Sequence, residues 1–289
     1  MNLSGVQCVG PIVTGMSLAA SPYLSRVSMF EDLAMIVPAD WWRTFFQGIV
    51  VDFWLAVPTL EQTKSDVDFV LKMTGIAHGA KVLDVPCGGG RHSVELASRG
   101  HEVTGVDFSQ EFLKAAKTLD TEKRVEWVEA EMRELPWPNR FDAAMSLGNS
   151  FPYLDDVGNV AFLQAAANTI KPGGKFVLES GAVAESLFPN YHERRWYNIG
   201  DILFAIKNEY DCELGRLNTT YVFVRDGQIE TKYGTQRVYS CSQLITLLRG
   251  VGFAQVDLFS NMQGASYKLG SQALILVATK GVEDSAKTG

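Results

Sequence analysis

The sequence predicts an α/β protein: a doubly wound sheet, mostly parallel with one antiparallel strand, preceded by N-terminal helices and carrying an inserted set of antiparallel β hairpins. Three observations predict it. Residues 81–107 read as strand, glycine turn, helix and strand, with an acidic residue closing each strand. Strand and helix patterns then alternate to about residue 180. From there to about residue 239 the pattern changes to apolar/polar alternation around Leu214-Gly215 and Asp226-Gly227, which is hairpin chemistry.

In the first unit, Val82, Leu83 and Val85 make a short buried strand, and Gly88, Gly89 and Gly90 let the backbone turn tightly. Val94, Leu96 and Ala97 line the apolar side of a helix that Gly100 stops. A second strand over 103–106 ends at Asp107, and the strand ends should form a ligand crevice. Gly88-x-Gly90-x-x-Ser93 nearly fits the dinucleotide fingerprint, so the glycines alone leave a nicotinamide dinucleotide open. Asp84 argues against it. A carboxylate there would repel a pyrophosphate but suits a ligand carrying an ammonium or a sulfonium. Asp107, 17 positions after Gly90, is placed to accept hydrogen bonds from two ribose hydroxyls in either nucleotide class.

Leu83-Asp84-Val85-Pro86-Cys87-Gly88-Gly89-Gly90-Arg91 resembles the first motif of the class I S-adenosylmethionine-dependent methyltransferases, acid-x-Gly-x-Gly-x-Gly; Gly88 and Gly90 match, and Pro86 stands where the first glycine is usual. The resemblance spans about residues 60–280. It implies the Rossmann-like sheet of that class, S-adenosylmethionine as methyl donor and S-adenosylhomocysteine as product. It also implies that Asp84 and the turn at Pro86, Gly88 and Gly90 hold the methionine portion, that Asp107 holds the ribose, and that Phe108 and Leu147 complete the cofactor contacts. Glu129-Ala130-Glu131-Met132 resembles the family's third motif, which makes Glu131 the partner of the adenine amino group with Met132 against the ring. Glu129 is the alternative if the strand register slips. Leu147-Gly148-Asn149-Ser150-Phe151 is similar to a piece of the glycine and sarcosine N-methyltransferases, and Lys171-Pro172-Gly173-Gly174-Lys175 resembles the family's structural turn into strand five.

The 289 residues are 46% hydrophobic, enough to bury a full core. The net charge is −7, without a lysine or arginine cluster, which disfavours a nucleic-acid substrate and favours a small-molecule methyl acceptor. Cysteines 8, 87, 212 and 241 show neither C-x-x-C spacing nor a disulfide framework, and no metal-ligand constellation is visible. A reducing cytoplasm is the simplest setting. No run of 18 apolar residues exists, so no membrane span is expected, and the 9–20 stretch lacks the basic flank of a signal peptide. The assembly is expected to be a monomer or a homodimer.

Residues 1–25 read as an irregular leader and 26–75 as a helical lid. The catalytic domain is expected over 76–180 and 240–280, the β insert over 181–239 and a polar tail over 281–289. Within the lid, positions 42, 45, 46, 49 and 53 fall on one helical stripe. Trp41 and Trp42 are adjacent, so one should point away from that stripe, and both are candidate substrate contacts. Pro58 ends this helix, and a second one runs over 66–73 to Gly75. Ser109 should cap a helix over 110–119; further strands are expected over 124–128, 141–147 and 176–179. Asp155 or Asp156 should cap a helix over 157–170, and a helix over 242–248 precedes the closing strand pair over 254–259 and 273–279.

Methyl transfer from a sulfonium is an in-line displacement with an activated leaving group, so positioning and exclusion of water can supply most of the catalysis. A base is needed only if the nucleophile must lose a proton. Tyr153, just past strand four, and His192, in the insert, are the candidates; His92 and His101 rank below them. Tyr153, Arg195 and Tyr197 join the two tryptophans as candidate substrate contacts, with Arg194 or Arg195 suited to a carboxylate on the acceptor. Against the enzyme stand two other readings: a non-catalytic S-adenosylmethionine sensor or scaffold, and an NAD-dependent oxidoreductase.

Overall fold

The computed structural model describes residues 37–282. The expected leader over 1–25 and the tail from residue 283 lie outside the described residues. The described chain opens with three helices, α1 (Trp42–Phe45), α2 (Ile49–Ala56) and α3 (Leu60–Thr74). The single aromatic stripe expected here is broken at Gly48, whose φ of +57° with ψ of −130° disfavours any residue with a Cβ. Trp41 and Trp42, at the start of α1 ahead of the break, are both buried, to 6% and 9% exposure, so neither points away into solvent. Thr59 caps α3 through a capping box with Gln62, and Gly75 ends the helix in the left-handed region at φ +62°.

The alternating part follows: β1 (Lys81–Asp84), α4 (Arg91–Ser98), β2 (Glu102–Asp107), α5 (Gln110–Leu119), β3 (Val125–Glu129), β4 (Phe141–Ser146), α6 (Asp156–Thr169) and β5 (Ile170–Ser180). Ser109 accepts from Phe112 N–H at the start of α5, and Asp155 from Gly158 N–H at the start of α6. Helix α7 (Ala184–Leu187) and a 3-10 turn over Phe188–Asn190 lead to β6 (Arg194–Ile199), β7 (Ile202–Asp211), β8 (Arg216–Arg225) and β9 (Gln228–Arg237). After α8 (Cys241–Gly250) come β10 (Phe253–Phe259) and β11 (Leu274–Lys280).

Seven strands form one sheet in the order β10-β11-β5-β4-β1-β2-β3. Strands β5, β4, β1, β2 and β3 pair in parallel; β11 lies antiparallel between β5 and β10. Each central strand is buried on both faces, because successive side chains point to opposite sides. Leu83, Ala144, Phe176 and Leu276 pack under α6 and α8, whereas Val82, Met145, Val177 and Ile275 pack under α3 and α4. The second sheet, β6-β7-β8-β9, is wholly antiparallel. Its β8–β9 connection is the two-residue Asp226-Gly227 turn with φ of +50° and +75°, the mirror-image geometry that matches strand twist. A third apolar cluster joins this sheet to the N-terminal helices around Phe53, whose ring lies 4.4 Å from that of Phe204 and 5.4 Å from that of Phe223. Arg195 and Tyr197, expected from sequence at the substrate, lie on β6, the outer edge of the second sheet, with His192 just before it.

Candidate active site

A cavity of about 1280 Å³ lies at the carboxyl ends of the parallel strands. Its floor is built from Val85–Gly89 after β1, Asp107–Ser109 after β2, Glu129–Met132 after β3 and Leu147–Ser150 after β4. Between β1 and β4 the winding reverses, leaving adjacent crossovers on opposite faces and a crevice between them. Trp41, Trp42, Phe45 and Phe46 cover it from α1, and Tyr221 and Gln236 reach it from β8 and β9.

Asp107 lines the cavity and is 8% exposed. Its Oδ1 accepts from Ser109 N–H and its Oδ2 from Gly88 N–H, both at 2.8 Å. Each oxygen keeps a lone pair for a ligand. Burial pushes its carboxyl up to about 6, opposed by those two N–H groups and reinforced by the charge of Asp84. Gly88, at φ +51°, makes the turn that brings its N–H to this carboxylate. Pro86, Phe108, Glu131, Met132 and Leu147 also line the cavity. Glu131 is held by Arg133, whose Nε donates at 2.6 Å and backbone N–H at 3.2 Å. The exposed Glu129 accepts from Gln110 Nε2 at 2.9 Å.

Two residues expected on the ligand have other work. Asp84 shares strand parity with Val82 and therefore points to the α4 side of the sheet, away from the cavity lining. It is 1% exposed and accepts from Ser93 Oγ at 2.6 Å. Burial pushes its carboxyl up to about 7, against that hydrogen bond. Gly90 is a packing residue: at φ +77°, a Cβ on it would lie 2.4 Å from Trp127 Cη2 and 2.8 Å from Ala116 Cβ.

Tyr153 lines the cavity, 5.1 Å from the ring of Trp41, and burial holds its phenol well above the usual range, so at neutral pH it is a donor and not a base. His192, Arg195 and Tyr197 do not line the cavity. Strand β6 puts the last two on the far edge of the second sheet, where Arg195 pairs with Ile206 of β7 and Tyr197 is buried against Phe204; His192, two residues before β6, is exposed. Sequence reasoning set His92 aside and passed over Asn149, Tyr221 and Gln236. Alternating strands such as β8 and β9 carry no local sign of which residues meet a cavity. Arg91 and His92, directly after the glycine turn, did offer one.

Asp66 on α3 ties the helices to this turn. Its Oδ2 accepts from Arg91 at 2.8 Å and lies 2.9 Å from His92 Nε2, while Arg91 also donates to Thr63 Oγ1 at 3.0 Å. Burial works to raise the Asp66 carboxyl, but His92 and Arg91 outweigh it and leave it below the usual range. Burial and the Arg91 charge push His92 down, against Asp66 and Glu179, so the imidazole is neutral at pH 7. On the other flank Trp42 meets Phe108 at 5.2 Å, and the Arg43 guanidinium sits 4.9 Å from the centre of the Phe108 ring.

Residues 82–174 match the family model described as a methyltransferase domain. A ubiquinone biosynthesis O-methyltransferase of Dechloromonas aromatica is 36% identical over 119 residues, covering 39% of this chain and 49% of that one. The glycine N-methyltransferase of Rattus norvegicus is 36% identical over 119 residues, 35% of this chain and 41% of that one. The chain thus spans about half the length, or less, of these curated relatives. Among solved structures, the CcbJ methyltransferase from Streptomyces caelestis superposes with a TM-score of 0.71 at 17% identity, over 83% of this chain and 99% of that one. The S-adenosylmethionine-bound amino pentose methyltransferase CalS10 from Micromonospora echinaspora gives 0.60 at 18% identity, over 81% and 97%. The match over residues 82–174 is thus to a methyltransferase domain, and the fold of the chain is the one these solved methyltransferases share.

Proposed function

We propose that the protein is an S-adenosylmethionine-dependent methyltransferase that transfers a methyl group to a nucleophile of a small molecule by in-line displacement. One observation carries the reading: a single cavity runs from Asp107, Phe108, Glu131 and Met132, past the glycine turn, to the aromatic compartment beyond β4. Its volume, about 1280 Å³, exceeds the roughly 300–1,000 Å³ typical of a pocket for one small ligand, so a nucleoside and an acceptor fit side by side.

The residues fit the donor. Asp107 offers one free lone pair on each oxygen, matching two vicinal hydroxyls, and Glu131, the drier of the two β3 acids, suits an adenine amino group with Met132 against the ring. Pro86 and Gly88 border the methionine portion, and Arg91, at the first position of α4, supplies a cation for its carboxylate. When bound, S-adenosylmethionine supplies an electrophilic methyl on an already activated leaving group. The chain's part is then to align and to exclude water, with the 37–74 segment acting as a lid: Trp41, Trp42 and Phe45 close over the cavity, and Tyr153 holds its proton.

No helix among the described residues is long and apolar enough to cross a membrane. Cys87, Cys212 and Cys241 are free thiols, in keeping with a reducing cytoplasm.

Calorimetry with S-adenosylhomocysteine and with NAD tests the reading. The former should bind, the latter should not, and Asp107→Ala should weaken S-adenosylhomocysteine at least about tenfold through the loss of two charge-assisted hydrogen bonds. An affinity within twofold of wild type would remove the ribose assignment. Transfer of a labelled methyl group to none of a panel of phenols, amines and heteroaromatic rings would favour a sensor over an enzyme.

A further inference from the structure

Beyond β4 the cavity combines ring walls with two carboxamides whose free ends are complementary. Asn149 lines the cavity and is 5% exposed. Its φ of +61° is one that asparagine tolerates better than most side-chain-bearing residues. Its Oδ1 accepts from the Gly181 N–H, which fixes the amide orientation and leaves Nδ2 as the free end. No group among the described residues accepts from Nδ2. Gln236, facing it from β9, donates Nε2 to the Asn149 backbone carbonyl at 3.4 Å, and no group among the described residues donates to its Oε1. A free donor and a free acceptor therefore belong to two neighbouring residues at one end of the cavity.

The walls are flat. Tyr153 and Tyr221 line the same space, backed by Trp41 at 5.1 Å and Phe45 at 5.0 Å. Burial pushes the Tyr221 phenol up to about 12, so both phenols stay uncharged.

We propose that the methyl acceptor is a planar ring system with a lactam edge, a ring carbonyl beside a ring N–H. The carbonyl accepts from Asn149 Nδ2, the N–H donates to Gln236 Oε1, and the ring faces lie against Tyr153 and Tyr221. This rests on the methyltransferase reading and adds the acceptor class. A nucleophilic atom elsewhere on the ring forms the bond to the methyl carbon as the carbon–sulfur bond breaks with its electron pair going to sulfur. Any proton on that atom passes to water.

The test is calorimetric, with the full chain, in the presence and absence of saturating S-adenosylhomocysteine. Three probes of one size are compared: 2-quinolone with the lactam edge, quinoline with an acceptor only, and 2-naphthol with a donor and an oxygen but no lactam. The expected result is 2-quinolone binding at least about tenfold tighter than either. Asn149→Asp keeps an oxygen for Gly181 N–H and replaces the donor by an acceptor; Gln236→Leu removes the acceptor. Each should abolish the preference while S-adenosylhomocysteine affinity stays within twofold. Equal binding of the three probes, or a preference that survives in either folded variant, overturns the proposal. Failure of S-adenosylhomocysteine to bind while the probe ranking holds would instead overturn the methyltransferase reading alone.

Discussion

Asp84 and Asp107 close neighbouring strands, and both are buried, yet only Asp107 meets the cavity. For Asp84, burial raises the folded-state carboxyl from 3.8 to about 7, with only Ser93 Oγ as a side-chain donor. The folded chain thus binds this proton more tightly than the unfolded chain. The stabilisation is complete below about pH 4 and is lost as pH rises through 7. Asp84→Asn keeps an acceptor for Ser93 and removes the charge. It should stabilise the protein at pH 8, by on the order of 4 kcal/mol at most and visible as a higher Tm, and flatten the fall in stability between pH 4 and 7. A thermal scan at four pH values checks this; a variant that tracks wild type would contradict it. Asp107 carries the same sign with its carboxyl at about 6, so S-adenosylhomocysteine affinity should rise from pH 5 to 7 and lose that rise in Asp107→Asn. The place of Asp107 at the cavity was legible because a strand-end acid follows a glycine turn at a fixed spacing. Asp84 was misread because a strand buried on both faces is apolar throughout and hides its parity. Only the side taken by α4 decides where its carboxyl points.

At the scale of elements, α4 begins at Gly90 because nothing larger fits there. The positive φ and the closeness of Trp127 and Ala116 act together, so Gly90→Ala should destabilise the protein by about 3 kcal/mol, measured by denaturant midpoint. A loss under 1 kcal/mol would mean that β3 and α5 can yield. Thr59→Ala removes the capping box of α3 and should cost about 1 kcal/mol. Elements with local signals were readable: the Ser109 cap, the Asp226-Gly227 turn and the closing strand pair all have their chemistry in a few adjacent residues. The break at Gly48 was not, because an isolated glycine is also compatible with an unbroken helix and the decision is made by contacts such as Gly48 N–H to Glu111 Oε2 at 2.8 Å. Strand β6 was missed for a similar reason. Arg194-Arg195 looks solvated until its backbone pairs with Ile206 and Lys207.

For the molecule as a whole, α1, α2 and the second sheet share one apolar core, and that core roofs the cavity. Phe53 sits at its centre with no exposed surface, so Phe53→Ala should cost about 3–5 kcal/mol and loosen the acceptor compartment before the nucleoside end. Probe binding should therefore weaken more than S-adenosylhomocysteine binding; the reverse order would show that the two halves of the cavity do not have separate supports. The sheet was legible across its length because βα alternation and two glycine-rich turns fix its winding, whereas the roof is made by residues 41–54, 221 and 236, distant in sequence and joined only by packing. That is why Tyr221 and Gln236 escaped notice while Tyr197, in the same insert and as aromatic as Tyr221, was chosen.

The central claim is that the methyl donor lies across the tips of β1, β2 and β3 with its sulfur turned toward the compartment beyond β4. A crystal structure with S-adenosylhomocysteine tests it most directly. The expected density has the ribose hydroxyls on Asp107, the adenine between Phe108 and Met132, and the sulfur facing Leu147 and Tyr153. Nucleoside density elsewhere, or a ribose with no contact to Asp107, would contradict the account.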